Sequence, residues 1–337
     1  MEKPTLNISS YSGGKSTLCT GCGHDSVTQH IITAFHKSQI SPFEVVKISG
    51  IGCSSKTPAY FMNQSHGFNT IHGRMASVAT GAKIANRNLK VIGISGDGDT
   101  ASIGLGGFMH LLRRNVPMIY IVENNGVYGL TKGQFSATAD LESENKEHDK
   151  NIFASIDLCA LAIEADCEFV ARSFSGDGKQ LVALIQAAAA HNGTAFIDVI
   201  SPCITYANNQ GSTKSYDYVK EHKVQLQELG FISAKEETKV DYAEGETIYV
   251  QMADGQYISL KKISHSEHSV NDRMSALKLL HESREQKRIV TGLIYHRKSH
   301  SSLPDKLSLT SEVLIKLNQS DLNLSANQLK LVMERYK

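Results

Sequence analysis

Residues Val91 to Asn125, V-I-G-I-S-G-D-G-D-T-A-S-I-G-L-G-G-F-M-H-L-L-R-R-N-V-P-M-I-Y-I-V-E-N-N, read as a strand, a glycine-aspartate turn, a helix, a second strand and a loop opening at Asn124. Strands joined through a helix run parallel, so the two strand ends share one edge of the sheet. Asp97 and Asn125 then converge, although a whole helix separates them in the chain. Gly96 and Gly98 let backbone N–H groups approach a phosphate, and the helix predicted from Ala101 offers its positive N-terminal end. A carboxylate and an amide oxygen are hard ligands, suited to Mg²⁺ held against a diphosphate. A glycine turn with a capping aspartate would account for Gly-Asp-Gly alone. The paired asparagines at the next strand end carry the functional reading.

Outward from this stretch, residues 24 to 200 alternate helix-like and strand-like segments, the signature of an α/β domain with a largely parallel sheet and helices on its faces. Strands are predicted at Glu44–Ser49, Lys90–Ser95, Pro117–Glu123, Glu168–Arg172 and Ala195–Ile200. Helices are predicted near Asp25–Lys37, Arg74–Asn86, Ala101–Arg114, Ser155–Glu164 and Lys179–His191. Ligands of such sheets bind outside the carboxyl ends of the strands. From Thr205 to Lys239 the chain turns polar, which predicts that the sheet ends there and divides the chain into a domain at 1–205 and an extension at 206–337. In the extension, Asp254-Gly255 between two alternating runs predicts a satellite hairpin over Glu246–Lys262, followed by helices at Asp272–Glu285 and Ala326–Tyr336.

Length and composition bound the function. The 337 residues suit one large domain, or one domain with a substantial extension. Hydrophobic residues at 41% and charged residues at 20% supply a full core and exclude wholesale disorder. The 35 Lys and Arg against 34 Asp and Glu leave +1, so no field recruits polyanions and nucleic acid is not an expected partner. No apolar run approaches the roughly 18 residues that a membrane span needs. The start MEKPTLNISS lacks the basic and apolar regions of a signal peptide, so a cytoplasmic location is expected.

The 6 cysteines fall into two kinds. Cys19 and Cys22 in C-T-G-C, Cys53 in G-I-G-C-S-S and Cys203 in S-P-C-I sit in loop chemistry, where a reducing compartment favours ligands over disulfides. Cys159 and Cys167 lie in an apolar run of helical spacing and read as buried small hydrophobes. Gly13-Gly14-Lys15-Ser16-Thr17 imitates the end of a P-loop, but Ser9 stands where the pattern needs Gly and no strand precedes it. His24 has two readings, as a ligand or proton carrier and as a loop histidine that hydrogen-bonds nearby. His72 and Arg74, in H-G-R before a helix, are candidates to contact phosphate oxygens.

The G-D-G-D run with Asn124-Asn125 resembles the thiamine diphosphate motif, and its surroundings resemble the β subunit of the 2-oxoacid:ferredoxin oxidoreductases. C-T-G-C-G-H, G-I-G-C-S-S, I-H-G-R-M-A-S-V-A-T-G-A-K-I-A-N, E-N-N-G-V-Y-G-L-T-K-G-Q-F-S and S-P-C-I-T-Y agree, and D-R-M-S-A-L at Asp272 to Leu277 extends the likeness into the tail. The resemblance implies a thiamine diphosphate-binding fold. It implies that Asp97, the Asn125 side chain and the Val127 carbonyl hold Mg²⁺, and that backbone about Gly96, Gly98 and Asp99 binds the diphosphate. It further implies a [4Fe-4S] cluster on Cys19, Cys22, Cys53 and Cys203. Four cysteines at this bare spacing suit zinc equally well, and the company of the thiamine motif is what selects iron and sulfur.

The reaction implied is coenzyme A-dependent oxidative decarboxylation of a 2-oxoacid, or its reverse, with electrons leaving through the cluster to ferredoxin. An α subunit is the implied source of the glutamate that activates the cofactor, in an (αβ)2 assembly, so no glutamate of this chain is nominated. Chain length, the polar tail and the E-N-N-G-V-Y-G-L-T-K-G-Q-F-S run look most like the 2-oxoglutarate members. Pyruvate or branched-chain 2-oxoacids are the alternative substrates, and a non-catalytic zinc-stabilised binding module is the alternative from another class. Lys56, three residues beyond Cys53, is a candidate contact for the second carboxylate of 2-oxoglutarate or for coenzyme A; a solvated lysine is the plain reading.

Overall fold

The short apolar runs form strands because side chains are buried on both faces of each. In β4 (Met118–Asn124), Met118, Tyr120 and Val122 enter one core while Ile119 and Ile121 enter the other. The same alternation divides β1 (Val45–Ser49), β3 (Lys90–Gly96), β7 (Phe169–Phe174) and β8 (Thr194–Ile200) between the two layers. On one side pack α2 (Met75–Ala85), α3 (Leu105–Arg113) and α4 (Leu158–Glu164), around an aromatic cluster in which Phe108 lies 5.1 Å from both Tyr120 and Phe196. On the other side α1 (Gly23–Lys37) and α5 (Gly178–Ala190) lie against each other and the sheet.

The computed structural model describes residues 6–145, 149–201, 203, 240–251, 257–264, 268–298 and 301–336. The polar run read from Thr205 to Lys239 and the Asp254-Gly255 turn lie outside the described residues. The described strands form one nine-stranded sheet and a two-stranded ribbon, β5 (Val127–Tyr128) with β6 (Gln134–Phe135). The sheet order is β2-β1-β3-β4-β8-β7-β11-β10-β9, with β2 at His66–Asn69, β9 at Thr247–Gln251, β10 at Tyr257–Lys262 and β11 at Ile289–His296. From β2 to β7 all neighbours are parallel, whereas β11 runs antiparallel to β7. Among the described residues no helix is long and apolar enough to cross a membrane.

Three expectations are corrected here. The sheet does not end near Thr205, and the hairpin is no satellite: β9 and β10 pair antiparallel and continue the main sheet through β11. The strand β11 supplies the missing link, and α6 (Arg273–Glu285) packs beside it on the layer of α4. The helix predicted from Ala101 begins only at Leu105. Before it, Gly98–Ile103 makes a wider π turn in which the Gly104 N–H bonds the Asp99 carbonyl at 2.9 Å.

A buried ion network ties the layers behind this edge. Arg172 on β7 donates from Nε to Asp198 Oδ2 at 2.8 Å and from Nη2 to Asp157 Oδ1 at 2.7 Å. Asp157 also caps α4, accepting the Cys159 and Ala160 N–H groups, and Asp198 Oδ1 accepts from Asn124 Nδ2 at 3.0 Å. Removing the guanidinium strands a buried carboxylate. Arg172→Met is therefore expected to lower the unfolding free energy by about 3–5 kcal/mol, measured by denaturant titration; a loss under about 1 kcal/mol would mean that Asp198 is neutral in the folded chain.

Candidate active site

In the sheet order, β1 is flanked by β2 and β3, so the chain reverses its direction of travel across the sheet at this point. A crevice forms where loops diverge from such a switch. A cavity of about 140 Å³ opens there, lined by Ile51–Ser54 after β1, Gly96–Asp99 after β3 and residues from Asn125 to Thr131 after β4. His24, His72 and Glu123 complete the lining used below.

Register brings the ion motif together as expected. Gly96 pairs with Glu123, so Asp97 and Asn125 leave neighbouring strands side by side. The Asn125 N–H donates to Asp97 Oδ1 at 3.2 Å, and Asn125 Oδ1 accepts the Val127 N–H at 3.0 Å. Asp97 is 1% exposed, and among the described residues no lysine or arginine pairs with it. A buried carboxylate held by neutral donors is a natural seat for a cation. Gly98 must lack a side chain, because a Cβ there would stand 2.5 Å from the Tyr128 ring, whose hydroxyl donates to the Gly98 carbonyl at 3.0 Å.

Asp99 faces elsewhere. Its Oδ1 accepts the Gly73 N–H at 2.9 Å and meets His72 Nδ1, while Oδ2 accepts from Ser95 Oγ at 2.8 Å. The carboxylate thus holds the His72 imidazole at the cavity wall, leaving the backbone of the turn for other partners. Arg74 is exposed at the start of α2 and does not line the cavity. His72 and Arg74 are therefore separated by the fold.

Cys22 occupies the N-cap of α1, and Cys53 opens a 3₁₀ turn, Cys53–Tyr60, just after β1. Cys203 follows β8. The sulfurs of Cys53 and Cys203 both approach Gly129, each 3.6 Å from the point where a Cβ on that residue would sit. Burial pushes both the Cys22 and Cys53 thiols up; the Cys203 charge adds to each rise, Cys19 adds to that of Cys53, and Lys56 opposes the latter. Cys203 is thus within electrostatic reach of both Cys22 and Cys53, and Cys19 and Lys56 are within reach of Cys53. Among the described residues no three His, Cys, Asp or Glu side chains are grouped tightly enough to hold a single metal ion. Cys159 and Cys167 lie in the core at 0% and 1% exposure.

The back wall was missed from sequence. Glu123 is fully buried, with Thr57 Oγ1 3.0 Å from both carboxylate oxygens. Burial holds its carboxyl well above the usual range, outweighing the Thr57 bond. His24 Nε2 stands 3.8 Å from Glu123 Oε2 and its Nδ1 2.7 Å from Ser201 Oγ. Burial lowers His24 to about 4. For both groups burial opposes the charged form. Ser54 Oγ is buried, without a hydrogen-bond partner among the described residues, and faces the space beside Gly96, where a Cβ would meet it at 3.1 Å. An orphaned hydroxyl beside a glycine turn and an uncompensated carboxylate suits a polyoxygen anion with its cation.

Residues 50–199 match the family model of the thiamine pyrophosphate enzyme C-terminal TPP binding domain. The 2-oxoacid:ferredoxin oxidoreductase subunit beta of Saccharolobus solfataricus is 45% identical over 199 residues, 59% of this chain and 65% of its own length. This chain therefore covers slightly under two thirds of that relative. The 2-oxoglutarate synthase subunit KorB of Methanocaldococcus jannaschii is 37% identical over 224 residues, 65% of this chain and 82% of its own length. The chain belongs to the 2-oxoacid:ferredoxin oxidoreductase β-subunit family. Within this oxidoreductase family the structural likeness extends past the cavity: a solved 2-oxoglutarate:ferredoxin oxidoreductase from Magnetococcus marinus, with 2-oxoglutarate, coenzyme A and succinyl-CoA bound, aligns over 100% of this chain and 98% of that chain, with TM-score 0.74 and 26% identity. The family and the α/β thiamine-binding fold are those implied by the G-D-G-D and Asn124-Asn125 stretches.

Proposed function

We propose that this chain is the β subunit of an enzyme that oxidatively decarboxylates 2-oxoglutarate with coenzyme A, or runs the reverse carboxylation, and exchanges electrons with ferredoxin through a [4Fe-4S] cluster. The observation that carries this reading is a single cavity bounded on one side by the Asp97–Asp99 turn and on the other by Cys53, with the Cys53 and Cys203 sulfurs both close to Gly129. The KorB relative and the Magnetococcus marinus enzyme support the choice of 2-oxoglutarate. Thiamine diphosphate, when bound, supplies a carbon nucleophile for the ketone and a sink for the electrons left as carbon dioxide departs, and an iron-sulfur cluster takes such electrons singly.

Asp97, the Asn125 side chain and the Val127 carbonyl are assigned to Mg²⁺, and backbone about Gly96, Gly98 and Asp99, with His72, to the diphosphate. Arg74 is left to a longer-range role. Cys19, Cys22, Cys53 and Cys203 are assigned to the cluster, Cys22 drawing on the positive end of α1 to stabilise its thiolate. Glu123 and His24 form the back wall, where burial opposes the charged form of each. Lys56 is kept as a contact for a second carboxylate or for coenzyme A.

The activating glutamate is assigned to an α subunit, in an (αβ)2 assembly. Purified alone, the chain is expected to give no 2-oxoacid-dependent reduction of ferredoxin or viologen, and the assembled enzyme is expected to favour 2-oxoglutarate in kcat/KM over pyruvate and branched-chain 2-oxoacids. Full turnover by the lone chain would overturn the subunit reading. A preference for pyruvate would overturn the substrate alone. Stoichiometric zinc without visible charge-transfer absorption would replace the enzyme by a zinc-stabilised binding module.

A further inference from the structure

The ion site leans on two hydroxyls outside its sequence motif. The β5–β6 ribbon turns the chain back on itself, and the Ser136 N–H bonds the Gly126 carbonyl at 3.1 Å. This return sets Ser136 and Thr138, 39 and 41 residues beyond Asp97, against the far oxygen of its carboxylate. Ser136 Oγ donates to Asp97 Oδ2, and Thr138 Oγ1 donates to the same oxygen at 2.6 Å. The Thr138 N–H approaches Ser136 Oγ at 3.3 Å, which turns the serine proton away from its own loop. Both hydroxyls are buried, at 5% and 7% exposure, so water does not compete for them.

A carboxylate oxygen has about two acceptor directions. Those of Oδ2 are both engaged. Oδ1 has one donor among the described residues, the Asn125 N–H at 3.2 Å, and so retains a direction for a cation. Thr138 Oγ1 also lies 3.1 Å from Asn124 Oδ1, a second acceptor that competes weakly for its one proton, and Asn124 is itself fixed by its Nδ2 bond to Asp198, the carboxylate that Arg172 holds. We infer that Ser136 and Thr138 are positioning residues for the ion site, fixing the Asp97 carboxylate so that it binds Mg²⁺ through Oδ1 alone. The inference rests on the proposed assignment of Asp97 to Mg²⁺. It adds that the affinity of that ion is set by a loop distant in sequence. Groups that orient a metal ligand commonly change metal affinity by about 10- to 100-fold when removed.

The test is a calorimetric Mg²⁺ titration of the assembled enzyme at fixed thiamine diphosphate, well below the unfolding midpoint of each variant. Thr138→Val keeps the shape and removes the hydroxyl; it is expected to weaken Mg²⁺ by about 10-fold or more. Thr138→Ser restores the donor and is expected to recover most of that loss, which a packing defect would not allow. Ser136→Ala should weaken Mg²⁺ independently, and it serves if the threonine variant does not assemble. Asp97→Asn distinguishes the two readings. Unchanged Mg²⁺ affinity in Asp97→Asn would remove the ion site and this inference with it. Loss in Asp97→Asn beside wild-type affinity in both Thr138→Val and Ser136→Ala would overturn the positioning role alone.

Discussion

Single replacement of Cys19, Cys22, Cys53 or Cys203 by Ala should strip or degrade the iron-sulfur centre, while Cys159→Ala and Cys167→Ala keep their full iron content. The two outcomes follow from two environments. Cys53 lines the cavity, the Cys53 and Cys203 sulfurs both come close to Gly129, and electrostatic coupling links Cys22 and Cys53 to Cys203. The positive charge of bound iron would offset that coupling and hold the four sulfurs as thiolate ligands. Cys159 and Cys167 are instead locked in the core, where the Cys167 thiol contacts the Phe169 and Thr194 carbonyls, each at 3.3 Å. Their loss costs packing and no ligand. Iron and sulfide determination on the six variants, with electron paramagnetic resonance after reduction, distinguishes the classes. Iron loss in Cys159→Ala together with retention in Cys203→Ala would mean that the fourth ligand has been misassigned.

What could be read in the chain was what is local. The central strands announce themselves because both faces are buried, and β4 begins one residue from its predicted start and ends one from its predicted end. The Asp97–Asn125 meeting was legible since parallel register follows from strand-helix-strand alternation. The strand β11 was not: Gly292 and a register shift between Leu293 and Tyr295 blur its alternation, and its antiparallel partner β7 is remote in sequence. Without it the β9–β10 hairpin reads as a satellite. The π turn was hidden for another reason. Ala101-Ser-Ile is compatible with an α-helix, and the wider turn is stabilised by the Asp99 carbonyl reaching Gly104 while the Asp99 side chain is held by Ser95, Gly73 and His72. Glu123 offered no signal beyond one acid at a strand end. Ser136 and Thr138 acquire their place only when the ribbon folds back.

Asp97→Ala should abolish Mg²⁺-dependent thiamine diphosphate binding and leave the chain folded. The second half is the less obvious, because the structure makes Asp97 a buried residue whose carboxylate accepts three hydrogen bonds, not a solvated loop carboxylate. Truncation orphans the Ser136 and Thr138 hydroxyls. It also removes a buried negative charge that no lysine or arginine among the described residues compensates, and the desolvation cost recovered opposes the bonds lost. Ser136 and Thr138 lie 2.9 Å apart and can bond each other, which limits the damage further. For the cofactor nothing offsets the loss. The carboxylate is the one anionic ligand assigned to the cation, and without the cation the diphosphate would lie against the turn with its charge uncompensated. Calorimetry of the assembled enzyme with thiamine diphosphate and Mg²⁺, beside the thermal unfolding midpoint of the same samples, reads both halves. Unchanged cofactor affinity would sink the ion assignment. Loss of the folded state would show that the carboxylate is held in the core for stability, and Asp97→Asn, which keeps its shape and one acceptor, would then carry the binding measurement.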